Sequence, residues 1–382
     1  MSERFSFSYQ PGTLMYGAGI VDELGAELDR LGCSRALVVC GSTVGATTPV
    51  INPVTAGAGD RPVGVFDKTS AEKYLATVLE GARRVDSTDA DVLVGLGAGS
   101  SLDTTKLVSV LAAHDDPAAA ARRMVADGTV HLPDGDPLPT VMIPTTLAGA
   151  DLSVVAGTRL ALDSDPVNGE VESVGVPDER LMPAAGFYDP ALFEHTPTPV
   201  LTGSAMNGFD KGLEMVYSRD HTAITDATAT HGLGLLGGGL LLVQYGLSTA
   251  ETYRASLIHA FGHGFSRRYD ATQGVIHAIL APHVLRYLFE EVDGRRNLLA
   301  GALGIETESL SDAATAEAVI AEVETVRDAM DLPVRLRTVD GLDQSHSPAI
   351  VEIITNDSFM TNVPAGLDPT EAVVTNVLEA AW

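Results

Sequence analysis

Lysine is nearly missing from this chain: Lys68, Lys73, Lys106 and Lys211 are the four in 382 residues, and 24 basic side chains in all face 51 acidic ones. The resulting formal charge of −27 repels phosphate backbones and anionic lipid surfaces, which excludes nucleic acid and membrane surfaces as natural partners. The carboxylates are spread along the whole chain rather than gathered in a tail. Such a distribution is expected of a salt-loving host, whose cytoplasm favours strongly hydrated protein surfaces. Cysteine is scarce too. Cys33 and Cys40 flank the apolar run "CSRALVVC" and read as buried thiols of a reducing compartment, not as a bridge. No run of 18 clean apolar residues exists; "HGLGLLGGGLLLVQYGL" (231–247) is rich in glycine and reads as a buried core helix. The opening "MSERFSFSYQPG" has neither a basic n-region nor an apolar h-region, so a cytoplasmic protein is expected.

What is present is a large core. With 45% hydrophobic residues, a chain of this length forms two domains or one large one. Up to about residue 190, short β-branched runs alternate with amphipathic stretches. Strands are predicted at 35–41, 61–68, 90–99 and 140–146, and helices at 19–32, 70–85 and 101–114. That alternation implies a parallel sheet covered by helices. From about residue 196 helical patterns take over, at 200–217, 222–247, 250–268, 274–290, 312–330 and 368–382. The polar insertion 161–183 reads as a hairpin or surface loop. The predicted architecture is α/β plus all-α: a dinucleotide-binding domain over 1–195 and a helical substrate domain over 196–382. The apolar, glycine-rich helical half leaves room for a homodimer.

"VGLGAGSSLDTTK" (94–106) runs from a predicted strand through Gly95, Gly97 and Gly99 into a helix expected to begin near Ser100 or Ser101. Glycines admit a ligand close to the backbone, and the free amides and dipole of a helix start favour a pyrophosphate. The spacing is not GxGxxG and no GK[ST] follows, so a tight turn capped by Ser100 is the alternative. Asp103, one turn further on, would cap amides or help hold the ligand. Thr145 and Thr146 end another predicted strand in "IPTTLAGADLS", and strand carboxyl ends are where open α/β folds bind ligands.

"GAGSSLDTTK", "PTTLAGADLS", "FYDP", "HAFGH" and "APHVLRY", in this order and at these separations, resemble the iron-containing (group III) alcohol dehydrogenase superfamily over essentially the whole chain. "PTTLAGADLS" and "SAMNGFDKGLEMVYS" are most similar to its maleylacetate reductase branch. The resemblance implies a dehydroquinate synthase-like fold with a Rossmann-like first domain and hydride transfer from or to NAD(P) in the interdomain cleft. It places the pyrophosphate on Gly97, Ala98, Gly99 and Ser100, and the phosphate and nicotinamide region on Thr145 and Thr146. Gly41, Ser42 and Thr43, at the end of the strand predicted at 35–41, offer no carboxylate to grip the ribose hydroxyls, which tilts the expectation toward NADP.

Metal-dependent members of that superfamily carry an Asp-x-x-x-His pair and two further histidines. By resemblance those positions are here Asn207, Lys211, His259 and Gln273. Amides bind divalent ions weakly and a protonated ammonium cannot ligate, so no metal is expected. The resemblance instead puts the charge of Lys211 where the metal would polarise a carbonyl oxygen. Asn207 would orient the substrate, His259 and His263 would handle the proton, and Gln273 and His277 would face the substrate.

Each assignment has a plainer alternative. Lys211 would lay its stem on apolar surface with its head in solvent or paired to Asp210 or Glu214. His259 and His263 would be satisfied core histidines, or would build an unconventional metal site with His277. Arg267 or Arg268 would bind a substrate carboxylate, or simply end a helix in solvent. The expected function is a metal-independent NAD(P)-dependent oxidoreductase that reduces a carbonyl, or oxidises an alcohol, of a small acidic or hydroxylated molecule. A dehydroquinate synthase-like lyase or cyclase with bound NAD, and a degenerate nucleotide-binding protein, are the alternatives.

Overall fold

In the computed structural model, residues 12–163, 171, 173–219, 221–234, 255–269 and 271–382 are described. The chain divides into two compact units, one of them Gln10–Pro197 and the other containing Thr198–Trp382.

The first unit is built on a six-stranded sheet in the order β1-β8-β5-β4-β2-β3. Its strands are β1 (Thr13–Tyr16), β2 (Ala36–Gly41), β3 (Pro62–Thr69), β4 (Val92–Gly97), β5 (Thr140–Pro144) and β8 (Ala185–Tyr188), all paired in parallel. Strand periodicity sorts the side chains. Leu37, Val39 and Leu93 enter one apolar cluster with α4 (Leu75–Thr88), α5 (Gly99–Ala112) and α6 (Pro117–Asp127). Val38, Val92, Val94, Val141 and Phe187 enter another with α1 (Leu24–Arg30) and α3 (Thr48–Gly57). Both faces are therefore covered, which is why the strands read as continuous apolar runs. The short α2 (Ser42–Ala46) follows β2 directly, and α7 (Pro190–Phe193) closes the unit.

The insertion 161–183, read as a hairpin or surface loop, supplies one strand of a hairpin: β7 (Ser173–Pro177) pairs antiparallel with β6 (Val155–Arg159), which precedes it. Its loop Lys73–Arg159 contacts tie it back to the 70–74 turn, where Thr158 Oγ1 donates to the Lys73 carbonyl at 2.7 Å.

The second unit is helical throughout its described part. It comprises α8 (Thr198–Tyr217), α9 (Ala223–Gly234), α10 (Leu257–Ser266), α11 (Gln273–Glu291), α12 (Arg296–Ala302), α13 (Asp312–Ala329), α14 (Ser347–Thr355) and α15 (Glu371–Ala381). Most of the expected core helix at 231–247 lies outside the described residues. No helix among the described residues is long and apolar enough to cross a membrane.

Helices α8, α10 and α11 share one core in which Phe209, Leu213, Phe261, Phe265 and Ile276 are all buried. Burying a side chain of this size contributes about 1.5–3 kcal/mol. In so apolar a setting, every buried charge on these helices needs a specific partner.

Candidate active site

The residues expected to hold a dinucleotide converge at the carboxyl ends of the neighbouring strands β5, β4 and β2. Gly97 ends β4 at φ 132°, a conformation that favours glycine, and α5 starts at Gly99 with Ala98 at its N-cap. The helix thus begins one or two residues earlier than the sequence suggests. No side chain caps it, so the alternative of a turn capped by Ser100 is not met. The amides of this first turn stay directed at the strand ends.

Thr145 is tied to the same corner. Its N–H donates to the Gly97 carbonyl at 3.0 Å, and its own carbonyl accepts from Thr196 Oγ1 at 2.8 Å. Thr146 is buried beside it. Gly41 and Ser42 form the β2–α2 junction, and a Cβ on Gly41 would lie 3.3 Å from the Thr69 carbonyl oxygen. The hydroxyls of Thr69 and Ser101 meet at 2.6 Å, joining β3 to α5. Asp103 is a half-buried partner of Lys73, whose Nζ donates to it at 2.9 Å; it does not cap the helix start. Asp67, on β3, packs beside Gly45 of α2, where a Cβ would lie 3.5 Å from its Oδ2.

The second unit gathers the remaining candidates. Asn207, Asp210, Lys211 and Glu214 lie on α8, His259 and His263 on α10, and Gln273 and His277 on α11. Lys211 is 8% exposed, so its head is not spread into solvent. Its positive charge bears on both His259 and His277.

Glu214 is fully buried and is the partner of His259. Its Oε2 lies 2.5 Å from His259 Nδ1, and its Oε1 accepts the His259 backbone N–H at 3.0 Å. Burial pushes the Glu214 carboxyl up to about 7, against hydrogen bonds from the backbone amides of His259, Ser256 and Ile258 and from Tyr217. The other ring nitrogen, Nε2, is 3.3 Å from Asn207 Oδ1. Burial first, and then the charge of Lys211, hold the His259 imidazole well below its ordinary pKa.

One helical turn before Glu214, the Asp210 carboxylate approaches His277 Nδ1 at 3.3 Å without hydrogen-bond alignment. Both side chains are fully buried. Burial, and next the neighbouring Glu214, push Asp210 well above the usual carboxylate range. The His277 ring is held well below its own range by burial and by His259, His263 and Lys211. It meets the His259 ring edge-on at 4.5 Å between centroids, and a Cβ on Gly262 would lie 2.2 Å from its Nε2. His277 is therefore enclosed behind His259. The expectation that it faces substrate is corrected by this packing.

His263 sits one turn after His259, at the edge of the cluster. Its Nδ1 is 2.8 Å from Asp357 Oδ2, which also receives Arg267 Nη2 at 2.6 Å. Burial works against the Asp357 charge, yet His263, the Phe359 amide and Arg267 hold its carboxyl below the ordinary value. Arg267 is thus engaged by an internal carboxylate. Gln273, the first residue of α11, has its Nε2 buried without a hydrogen-bond partner.

The four positions that resemble the superfamily's ligands carry an amide, an ammonium, an imidazole and an amide. This donor set does not fit a tetrahedral divalent site. Among the described residues, no three His, Cys, Asp or Glu side chains are arranged to hold a metal ion.

Sequence reasoning named Asp210 and Glu214 only as alternative partners of Lys211 and missed their contacts with His277 and His259. The available signal was three charged residues, at 210, 211 and 214, inside a helix that is otherwise apolar.

Comparison with known proteins agrees with this arrangement of a nucleotide-type sheet and a polar cluster on buried helices. The family described as iron-containing alcohol dehydrogenase matches residues 11–190, and the Fe-containing alcohol dehydrogenase C-terminal family matches residues 243–382. The chain belongs to the iron-containing alcohol dehydrogenase family and is an oxidoreductase. It is 25% identical to lactaldehyde reductase of Escherichia coli (strain K12), over 97% of this chain and 98% of that one. It is 24% identical to maleylacetate reductase 1 of Cupriavidus pinatubonensis (strain JMP 134 / LMG 1197), over 96% and 99%. Among solved structures, sulfoacetaldehyde reductase from Bifidobacterium kashiwanohense in complex with NAD+ superposes with a TM-score of 0.81 at 16% identity, covering 99% of both chains.

Proposed function

We propose that this protein is a metal-independent NAD(P)-dependent carbonyl reductase or alcohol dehydrogenase in which Lys211 supplies the positive charge that a metal supplies elsewhere in the family. The observation that carries the reading is a buried ammonium whose charge bears on His259 and His277, at a position where the family resemblance expects a metal ligand.

The uncapped start of α5, with Gly97 at positive φ and Gly41 at the neighbouring strand end, fits a dinucleotide. Bound nicotinamide would supply or accept the hydride. NADP is favoured over NAD because Gly41 and Ser42 offer no carboxylate to the adenosine ribose. The substrate is a small aldehyde, keto acid or the corresponding alcohol, in line with the reductases to which the chain is similar.

Each side chain then has a defined task. Lys211 stabilises the negative charge that develops on the carbonyl oxygen during reduction. Asn207 orients the substrate. His259, held neutral, accepts the hydroxyl proton at Nε2 when an alcohol is oxidised and returns it when a carbonyl is reduced. His277 acts through its contact with the His259 ring. The acidic composition fits an enzyme that works in concentrated salt, which KCl titration of the activity measures.

The test pairs chemistry with metal analysis. NADPH and NADH consumption is followed over a panel of small aldehydes and keto acids, with and without EDTA, for the wild type, Lys211→Ala and Lys211→Met. Turnover that persists in EDTA and falls roughly 10²-fold or more in both variants supports the proposal. An unchanged rate in the variants, or activity lost to EDTA and restored by zinc or iron, overturns it. Nucleotide binding without turnover across the panel would favour a degenerate binding protein.

A further inference from the structure

Helix α10 begins without a cap of its own. Its N-cap residue, Ser256, makes no side-chain cap hydrogen bond. Helix starts leave several amides unsatisfied, and in a buried setting those amides need an acceptor. Glu214 provides it from α8: its Oε1 accepts the His259 amide at 3.0 Å, and the neighbouring Ser256 and Ile258 amides favour the same charge. Tyr217 Oη donates to the same carboxylate at 3.4 Å.

The His259 amide and Tyr217 Oη both donate to Oε1, and the positive end of the α10 dipole favours the charge of the carboxylate. The atom left at Oε2 is His259 Nδ1, 2.5 Å away. With the carboxyl ionised, the complementary arrangement is Nδ1–H donating to Oε2, which leaves the lone pair on Nε2. Asn207 places Oδ1 3.3 Å from Nε2, so this tautomer calls for the amide in its flipped orientation, with the NH2 donating to the lone pair.

We infer that Glu214 is the positioning residue for His259: one carboxylate caps the helix that carries the imidazole and fixes the tautomer that leaves Nε2 able to take a proton from the substrate. The inference rests on the role proposed for His259 in oxidoreduction. It adds a residue that the ligand pattern of the superfamily does not contain. The same carboxylate faces the imidazolium that forms when Nε2 accepts the proton, as in other carboxylate–histidine pairs, where the acid orients the ring without being protonated itself.

The test uses the full-length chain and two variants. Glu214→Gln keeps the shape and still offers an oxygen to the α10 amides, but its NH2 donates to Nδ1 and forces the proton onto Nε2. Glu214→Asp keeps the charge on a shorter stem. Nitrogen-15 NMR of [15N]histidine-labelled protein reads the tautomer, with His259→Asn identifying the resonance. At a pH above the Glu214 titration, the expected result is a bare Nε2 in the wild type and a protonated Nε2 in Glu214→Gln. kcat for alcohol oxidation should fall about 10²-fold or more while the KM for the dinucleotide stays within about twofold, and Glu214→Asp should recover part of the loss.

A wild-type His259 carrying its proton on Nε2, or a Glu214→Gln variant with wild-type kcat, overturns the inference. The spectroscopic reading needs no turnover. If no carbonyl or alcohol substrate is found, the proposed function fails while the tautomer result still decides the role of Glu214.

Discussion

Gly274 meets Gly203 backbone to backbone: a Cβ at 274 would fall 1.7 Å from the Gly203 carbonyl oxygen and 3.2 Å from the Asn207 amide nitrogen. This contact sets α11 directly against the stretch of α8 that carries Asn207 and Lys211. The neighbour is backbone, which cannot swing aside as a flexible side chain would.

Gly274→Ala is therefore expected to cost at least about 1–3 kcal/mol, the usual range for overpacking, and to lower turnover by displacing Asn207. Calorimetric Tm and kcat, measured on the same preparation, check both. A variant with wild-type Tm would show that the helices separate without penalty.

Lys106 offers a second test in the nucleotide-binding unit. Its fully buried ammonium donates to the carbonyls of Ala150 (2.6 Å), Val155 (3.3 Å) and Ser153, and so ties the loop after Thr145 and Thr146 to α5. Lys106→Met keeps the length of the stem and strands those carbonyls, at an expected cost of about 1–3 kcal/mol. NADPH affinity, followed by fluorescence titration, should weaken with it. An unaltered Tm and affinity would remove Lys106 from the support of the loop.

The pH dependence of stability follows from the sign of the Glu214 shift. Its folded value, about 7, lies above the ordinary 4.5, so the folded state holds the proton more tightly than the unfolded chain. The associated stability is fully present below about pH 4.5 and is lost as pH rises through about 7, by an amount on the order of 3 kcal/mol. Glu214→Gln lacks this dependence. Urea unfolding at fixed salt should show the stability of the wild type falling relative to the variant between pH 4.5 and 8. A constant difference across that window would mean that Glu214 titrates normally.

Much of the sheet is legible from sequence. β2, β4 and β5 are buried on both faces, so their Val and Ile runs are continuous and bounded by turns, whereas the edge strand β3 keeps several side chains exposed. β1 and β8 have only four residues each, too few for any pattern to stand out. In α3, "TPVINPVTAG", two prolines disguise a helix that survives because one lies in its first turn and the other is tolerated inside. Among the long helices α8 and α11 are the clearest, since their apolar spacing persists over about five turns.

The site is legible where it depends on local spacing and hidden where it depends on packing. The glycines of β4–α5 and the odd lysine of α8 can be found in the string of letters. The Glu214–His259 contact joins residues 45 positions apart on different helices, and only the capping need of α10 brings the two together. His277 illustrates the reverse: its spacing suggests a site residue, but Gly262 allows its ring to slip behind His259 and out of solvent.

The shortage of lysine bears on how the protein can be handled. Lys106 and Lys211 are sealed within their units and Lys73 is partly shielded by Asp103, whereas Lys68, on the edge strand β3, keeps 57% of its side chain in water. Among the lysines, amine-reactive dyes or coupling resins should therefore attach first through that edge, leaving the ammonium groups at the two candidate sites unmodified.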